Sequence, residues 1–193
     1  MLCSYKVGDC EIVLQHGSIL EFKGDAIVNA ANEGCVGGFG VDEAINKAGG
    51  FKLKQARKEL GGCKTGNAKI TGSFEHTKVK WIIHAVGPVY RIPFGLDIDD
   101  EQSFLSSKDD LLYLAYKNSL ERAKEKNIKE LGFCLLCAGV FRGKRDLKDI
   151  LLIGIKSIAD NIYDGLTKIV IYAFTDEEKT VLLQVGEEYF SRC

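Results

Sequence analysis

"NAANEGCVGGFGVDEAINKAGG", residues 29–50, follows the apolar run Ala26-Ile27-Val28 and decides how the chain is built. The run reads as the end of a strand buried on both faces. Asp42 opens a helix, and between strand and helix stand Gly34, Gly37, Gly38 and Gly40. Glycine loses more backbone entropy on folding than any other residue, so something there requires bare backbone. A Gly-rich turn entering a helix presents unpaired N–H groups at the positive end of a helix dipole, which is an anion site, with phosphate the natural occupant. Read from residue types alone, tight turns remain the alternative.

Outward from this stretch, strands alternate with helices. "CEIVLQHGSIL" and "DAIVNA" (25–30) read as the first two strands, followed by "NAKIT", "KWIIHAVG" (80–87), "ELGFCLLCA" and "KIVIYAF". The helix "DEAINKAGG" closes at Gly49-Gly50. A second, "FKLKQARKEL", has apolar or small residues at Phe51, Leu53, Ala56 and Leu60 and ends at Gly61-Gly62. "DDLLYLAYKNSLERAKEKN" is amphipathic, with Leu112, Ala115, Tyr116, Ser119 and Ala123 on one face. "DLKDILLIGIKSIADNI", starting near Asp146, and "DEEKTVLLQVGEEYF" complete the helices. Residues 91–108, "RIPFGLDIDDEQSFLSSK", show no period and several acids and read as a long surface loop. The alternation predicts an α/β fold: a three-layer α/β/α sandwich around a mixed, mainly parallel sheet, with residues 1–193 as one domain.

The chain has 26 Lys+Arg against 27 Asp+Glu and a net charge of −1. That balance argues against a nucleic-acid partner or an anionic membrane surface. Seven cysteines at irregular spacing imply reduced thiols in a cytoplasmic or nuclear protein. No signal peptide is apparent, and the longest apolar stretch is short of a membrane span. Cys134-x-x-Cys137 has no second pair at ligand spacing and reads as buried thiols, so no metal is expected. His84, inside a strand, reads as a satisfied core histidine. Nothing in the sequence sets the oligomeric state, and a monomer is the default expectation.

Two phosphate motifs fail here. The dinucleotide fingerprint from Gly38 reaches Glu43 where it needs glycine. The P-loop spacing of Gly61 and Gly66 is followed by Asn67-Ala68. A different pattern fits. Asn29-Ala30-Ala31-Asn32 followed by Gly37-Gly38-Phe39-Gly40-Val41-Asp42 resembles the signature of macrodomains, which bind ADP-ribose. "TGNAKITGSFEHTKVKWIIHAVGPVY" (65–90) resembles that family's central segment. Cys137-Ala138-Gly139-Val140-Phe141 stands where the family has its second phosphate loop. The resemblance runs from about Cys10 to Phe190.

The resemblance implies roles. Asn32 would hydrogen-bond the distal ribose, and Gly37, Gly38 and Gly40, with Phe39 and Val41 among them, would wrap the ribose and diphosphate. Ala138, Gly139 and Val140 would close over the phosphates through N–H groups, and Phe141 would pack on the distal ribose. Phe174 would stack on adenine, with core packing as the alternative. Asp42 stands ten positions after Asn32, the spacing of the catalytic aspartate in MacroD-type hydrolases, where a carboxylate orients a water for attack. Read as residue types alone, without the resemblance, Asn32 is a turn former and Asp42 a helix cap.

The chain also departs from the family. Ser18 precedes Ile19 where many members carry an Asp that reads the adenine amino group. Phe39 replaces a loop glycine, and Cys137-Ala138 replaces Ser-Thr. "FRGKRDL" brings in Arg142, Lys144 and Arg145, placed either beside the phosphates or on a solvated loop. The resemblance implies a metal-independent hydrolase that removes mono-ADP-ribose from Asp or Glu side chains of proteins and deacetylates O-acetyl-ADP-ribose. The alternative is a reader that binds ADP-ribose without chemistry.

Overall fold

Valine, isoleucine and alanine fill the strands because both faces of the sheet are covered. The computed structural model describes residues 1–191. Its seven strands are β1 (Cys3–Val7), β2 (Cys10–His16), β3 (Ala26–Ala31), β4 (Ala68–Gly72), β5 (Trp81–Val86), β6 (Glu130–Cys134) and β7 (Lys168–Ala173). They form one sheet in the order β1-β2-β7-β6-β3-β5-β4. The five central strands run parallel, and β1 and β4 are antiparallel edges. The expected mixed, mainly parallel sheet is present.

Four helices cover it: α1 (Val41–Glu59), α2 (Ile98–Glu125), α3 (Leu147–Asp160) and α4 (Asp176–Phe190). Helices α2, α3 and α4 pack side by side, while α1 packs apart from them on β3 and β4. Ile12, Leu14, Ile27, Ile82, Ile83 and Phe133 are fully buried at the centre. The inward residues foreseen for α2, Leu112, Ala115, Tyr116, Ser119 and Ala123, are all buried.

Three expectations are corrected. Strand β1 was not foreseen; it pairs with β2 through the turn at Gly8, whose φ is 58°. The surface loop at 91–108 ends early, because α2 begins at Ile98. Asp97 caps it by accepting a hydrogen bond from Asp100 N at 2.9 Å, and Asp99, Asp100 and Glu101 fill the first turn. The acids that looked like loop composition complement a helix dipole. Phe51 is exposed (70%), and Arg57 takes an inward position beside Leu53.

The four inner parallel pairings leave β2, β7, β6, β3 and β5 with their carboxyl ends on one side of the sheet. From β3 the chain continues to β4 and β5 on one flank, then crosses to β6 on the other. The crevice between β3 and β6 is therefore a topological switch point, where ligands bind in open α/β sheets.

Asp97→Ala should remove the α2 cap at a cost of about 1 kcal/mol or less. Amide exchange should then accelerate over residues 98–101 and stay unchanged in the central strands. Unchanged protection at 98–101 would show that the cap does not hold this turn.

Candidate functional site

At the carboxyl ends of β2, β3, β6 and β7 lies a cavity of about 540 Å³, of the size of small-molecule sites. One end is formed by Ser18, Ile19, Leu20, Tyr172, Phe174 and Glu178. The other is formed by Asn32, Gly38, Phe39, Gly40, Val41 and Asp42, and Gly139, Val140 and Phe141 lie on the facing turn. Among the described residues, the charged side chains lining it are Asp42 and Glu178, and no lysine or arginine does.

The site is built on a broken helix. Within α1, Gly50 has φ 69° and ψ −160°, so two helices meet there at a kink, as the Gly49-Gly50 break implied. A side chain at Gly50 would run into the Glu75 carboxylate. In an unbroken helix Asp42 and Arg57 would lie roughly 22 Å apart along the axis, at about 1.5 Å per residue. The break folds the second half back, and Arg57 Nη1 donates to Asp42 Oδ1 at 2.6 Å and to Asn46 Oδ1 at 2.7 Å. Arg57 Nε donates to Cys35 O at 2.7 Å, so the same guanidinium also holds the Gly-rich loop.

Both partners are buried, Arg57 at 0% and Asp42 at 2% exposure. The network extends into the sheet. Asn29 Nδ2 donates to Asp42 Oδ1 at 2.6 Å and lies 3.1 Å from His84 Nδ1. Nδ1 is therefore the accepting nitrogen, and Nε2 donates to Thr71 Oγ1 at 2.9 Å. Burial, and secondarily the Arg57 charge, push the His84 pKa down to about 3. His84 is a neutral, hydrogen-bonded core residue.

Asp42 is not the cap of α1. That position belongs to Gly40, with φ 64° and no side-chain cap. Asp42 Oδ1 takes both donors, while Oδ2 is buried without a protein partner. The backbone of Gly38 lies close over it. A Cβ there would meet Asp42 Oδ2 at 3.0 Å and Asn32 Nδ2 at 3.4 Å. This close approach explains the bare backbone at Gly38. With no capping side chain at Gly40, the first-turn N–H groups of α1 are left for a ligand.

The structure brings most of the sequence-derived site together. Ser18, Ile19, Asn32, Gly38, Phe39, Gly40, Val41, Asp42, Gly139, Val140, Phe141 and Phe174 line the cavity. Gly37, Ala138 and Arg142 lie outside the lining. Gly37 O accepts from Asn32 Nδ2 at 2.8 Å, Ala138 is buried, and Arg142 pairs with Glu177 at 3.6 Å. Asn32 Oδ1 also accepts from Cys35 N at 3.2 Å, so this side chain braces the loop. Phe39, Phe174 and Val140 are largely exposed. Arg145 pairs with Asp109 and Asp149. Burial raises the Cys137 thiol, and its Sγ lies 3.1 Å from Pro88 O.

Sequence reasoning missed Arg57, Leu136, Tyr172 and Glu178. Arg57 sits among lysines and glutamates of a charged helix, so nothing marks it as buried. Tyr172 is the half-buried residue between the buried Ile171 and Ala173, and the apolar run "KIVIYAF" carries no signal that singles it out.

The fold and the cavity at the switch point define a nucleotide-sized α/β binding domain. The Macro domain family model matches residues 28–147, and the chain belongs to the macro domain family. It is 42% identical over 135 residues to a macro domain-containing protein of Caldanaerobacter subterraneus, covering 68% of this chain and 70% of that protein. It is 31% identical over 182 residues to ADP-ribose glycohydrolase MACROD2 of Homo sapiens, covering 94% of this chain but 40% of that protein. In fold it resembles an Oceanobacillus iheyensis macrodomain solved with ADP, with a TM-score of 0.84 at 23% identity, covering 99% and 97% of the two chains.

Arg57→Leu should destabilise the protein by ~3–5 kcal/mol in denaturant titration, because it strands a buried carboxylate. Adding Asp42→Leu should recover part of that loss, and strict additivity would show that the pair is not coupled.

His84 supplies a pH signature. Its depressed folded pKa, about 3 against an ordinary 6.5, means the unfolded chain binds the extra proton first. Its contribution is complete above about pH 6.5 and is lost as pH falls toward 3, at up to ~1.4 kcal/mol per pH unit. A His84→Gln variant should show a flatter fall in stability over that window. An equal slope in both proteins would place the titration elsewhere.

Proposed function

We propose that this cavity binds ADP-ribose and that Asp42 serves hydrolysis of the ester joining ADP-ribose to Asp or Glu side chains of proteins. O-acetyl-ADP-ribose, an ester of the same kind, would be deacetylated likewise. The observation that carries the reading is the buried, partnerless Oδ2 of Asp42 at the cavity end beneath Gly38. The likeness to ADP-ribose glycohydrolase MACROD2 supports it.

The geometry supports this chemistry. Two donors on Oδ1 fix the carboxylate plane, so Oδ2 is an acceptor of set direction. A water donating to it where Asp42 borders the cavity would be oriented toward a substrate bond held at that end. Water adds to the acyl carbon, the ester C–O bond breaks, and the leaving ribose oxygen takes up a proton. The products are a free carboxylic acid and ADP-ribose. Amides at the α1 start and the 139–142 turn hold the diphosphate, and remote binding of the nucleotide positions the reacting ester.

A non-catalytic reader is the second reading. Asn32 favours it, because both polar atoms of its side chain are engaged within the loop.

The two separate with a protein mono-ADP-ribosylated on Glu or Asp and followed for release of label. The hydrolase reading expects turnover. Asp42→Asn keeps an oxygen for Arg57 but turns the open acceptor into a donor, and should slow release by roughly 100-fold or more. ADP-ribose should still stabilise that variant, by about 2.7 kcal/mol at a 100-fold excess over its dissociation constant. Binding without release by the wild type would establish the reader, and no thermal shift with ADP-ribose would end both readings.

A further inference from the structure

The cavity presents a puzzle of charge. A site for a diphosphate is lined, among the described residues, by two carboxylates and no cation. Asp42 belongs to the reacting end. Glu178 stands at the opposite end with Phe174, Tyr172, Ser18, Ile19 and Leu20, and a carboxylate there repels phosphate. It needs a neutral, hydrogen-bond-donating group against it.

Glu178 is held in place. It is the third residue of α4, and its Oε2 accepts from Phe174 N at 2.8 Å and Thr175 N at 3.0 Å. Thr175 Oγ1 accepts in return from Glu178 N at 3.1 Å, completing a capping box. Both backbone donors engage Oε2, and no hydrogen bond to Oε1 occurs among the described residues. The carboxylate is felt inside the cavity. The Cys134 thiol, also on the lining, is pushed up to about 12, by burial first and in part by the Glu178 charge. The ring of Phe174, exposed at 73%, stands on the residue whose own amide anchors Glu178. An aromatic face and a directed acceptor thus share one short segment.

Ser18, the other polar side chain of this end besides the Tyr172 hydroxyl, caps the turn at Ile19–Glu21 and accepts from Leu20 N at 3.3 Å. Its oxygen is partly engaged, which leaves Oε1 of Glu178 as the stronger acceptor.

Resting on the ADP-ribose reading above, we propose that Glu178 reads the 6-position of the purine and sets a preference for a 6-amino over a 6-oxo base in the nucleotide sugar. The exocyclic amine donates to Oε1 while the ring lies on Phe174. In the same pose a 6-oxo purine sets a lone pair against Oε1, and its N1–H donor must shift by one ring position to reach the carboxylate.

The test compares dissociation constants of ADP-ribose and inosine diphosphate ribose by calorimetry. The wild type should prefer ADP-ribose by about tenfold or more, the scale of a hydrogen bond to a charged group. Glu178→Gln keeps the capping box, which accepts glutamine equally, but replaces the open oxygen with an N–H donor. Its preference should fall to parity or invert, with an unchanged melting temperature. Ser18→Ala should keep the wild-type ratio. If ADP-ribose binds but wild type accepts both nucleotides alike, Glu178→Gln keeps the wild-type ratio, or Ser18→Ala erases the preference, Glu178 is not the reader and the cavity assignment survives. If Glu178→Gln melts early, the cap role dominates, and the wild-type and Ser18→Ala ratios decide. If neither nucleotide binds the wild type, the ADP-ribose reading itself has failed and takes this inference with it.

Discussion

The contact between Arg57 and Asp42 organises the site. A guanidinium and a carboxylate removed from water are costly unless each finds close partners, and here the partners are the parts of the site. Arg57 bonds Asp42 in the first turn of α1, Asn46 one turn on, and the carbonyl of Cys35 in the Gly-rich loop. Asn29 within β3 bonds the same carboxylate oxygen and passes the network to His84 in β5. Strand, loop and helix are tied at one charged knot. Because an unpaired charge there is far worse than a paired one, the alternatives in which the loop swings away are penalised strongly. The kink at Gly50 makes the knot geometrically possible, since no straight helix joins residues so far apart in sequence.

The second constraint is how an anion is held without cations. The arginines of the 142–145 segment are tied to Glu177, Asp109 and Asp149. What the cavity offers an anion is backbone: the uncapped start of α1 and the facing turn at Gly139, Val140 and Phe141. Peptide dipoles oriented by the fold need no reorganisation when a phosphate arrives, and they read shape more than net charge. This agrees with a chain whose overall charge is near zero. The loop carrying Cys137 and Ala138 is anchored from within, since both are buried and the Cys137 thiol meets Pro88 O. Gly139 and Val140 are thereby presented outward to the cavity.

How much of this was legible in the sequence depends on the kind of signal. Apolar runs marked six of the seven strands, and paired glycines marked the break in α1. β1 escaped because it is a five-residue edge strand with no fully buried residue, in which Cys3, Tyr5 and Val7 alternate with Ser4 and Lys6. The start of α2 escaped because acids in a first turn have the same composition as acids in a loop; only Asp97's hydrogen bond distinguishes them. Of the site, the glycines were readable by type as a turn that needs bare backbone, whereas Asn32 and Asp42 were marked only by the family resemblance. Arg57 was not. Its burial is a tertiary fact, produced by the fold-back at Gly50 and by Asp42, with no local trace in "KLKQARKEL". Phe51 illustrates the same point in reverse. Its apolarity pointed inward, but the helix after the kink is rotated so that Leu53 and Arg57 face the core.

The two carboxylates of the cavity show how one feature can serve two ends of a ligand. Each has one oxygen saturated by protein donors and one left over. Asp42 Oδ1 takes Arg57 and Asn29, and Glu178 Oε2 takes the amides of Phe174 and Thr175. Half-saturation is what converts a charge into a directional acceptor. The bonded oxygen fixes the plane, and the other points where the fold aims it. On the readings proposed above, the acceptor at the buried end would orient a nucleophile, and the one at the open end, beside an aromatic face, would select a base edge. A further negative charge would oppose a phosphate, and the rest of the lining includes Gly38, Gly40 and Gly139 with their peptide N–H groups. The polarity of the cavity thus changes along its length in step with the chemistry of an extended nucleotide sugar, and a shorter or purely anionic ligand would leave one of its carboxylates facing nothing it can bind.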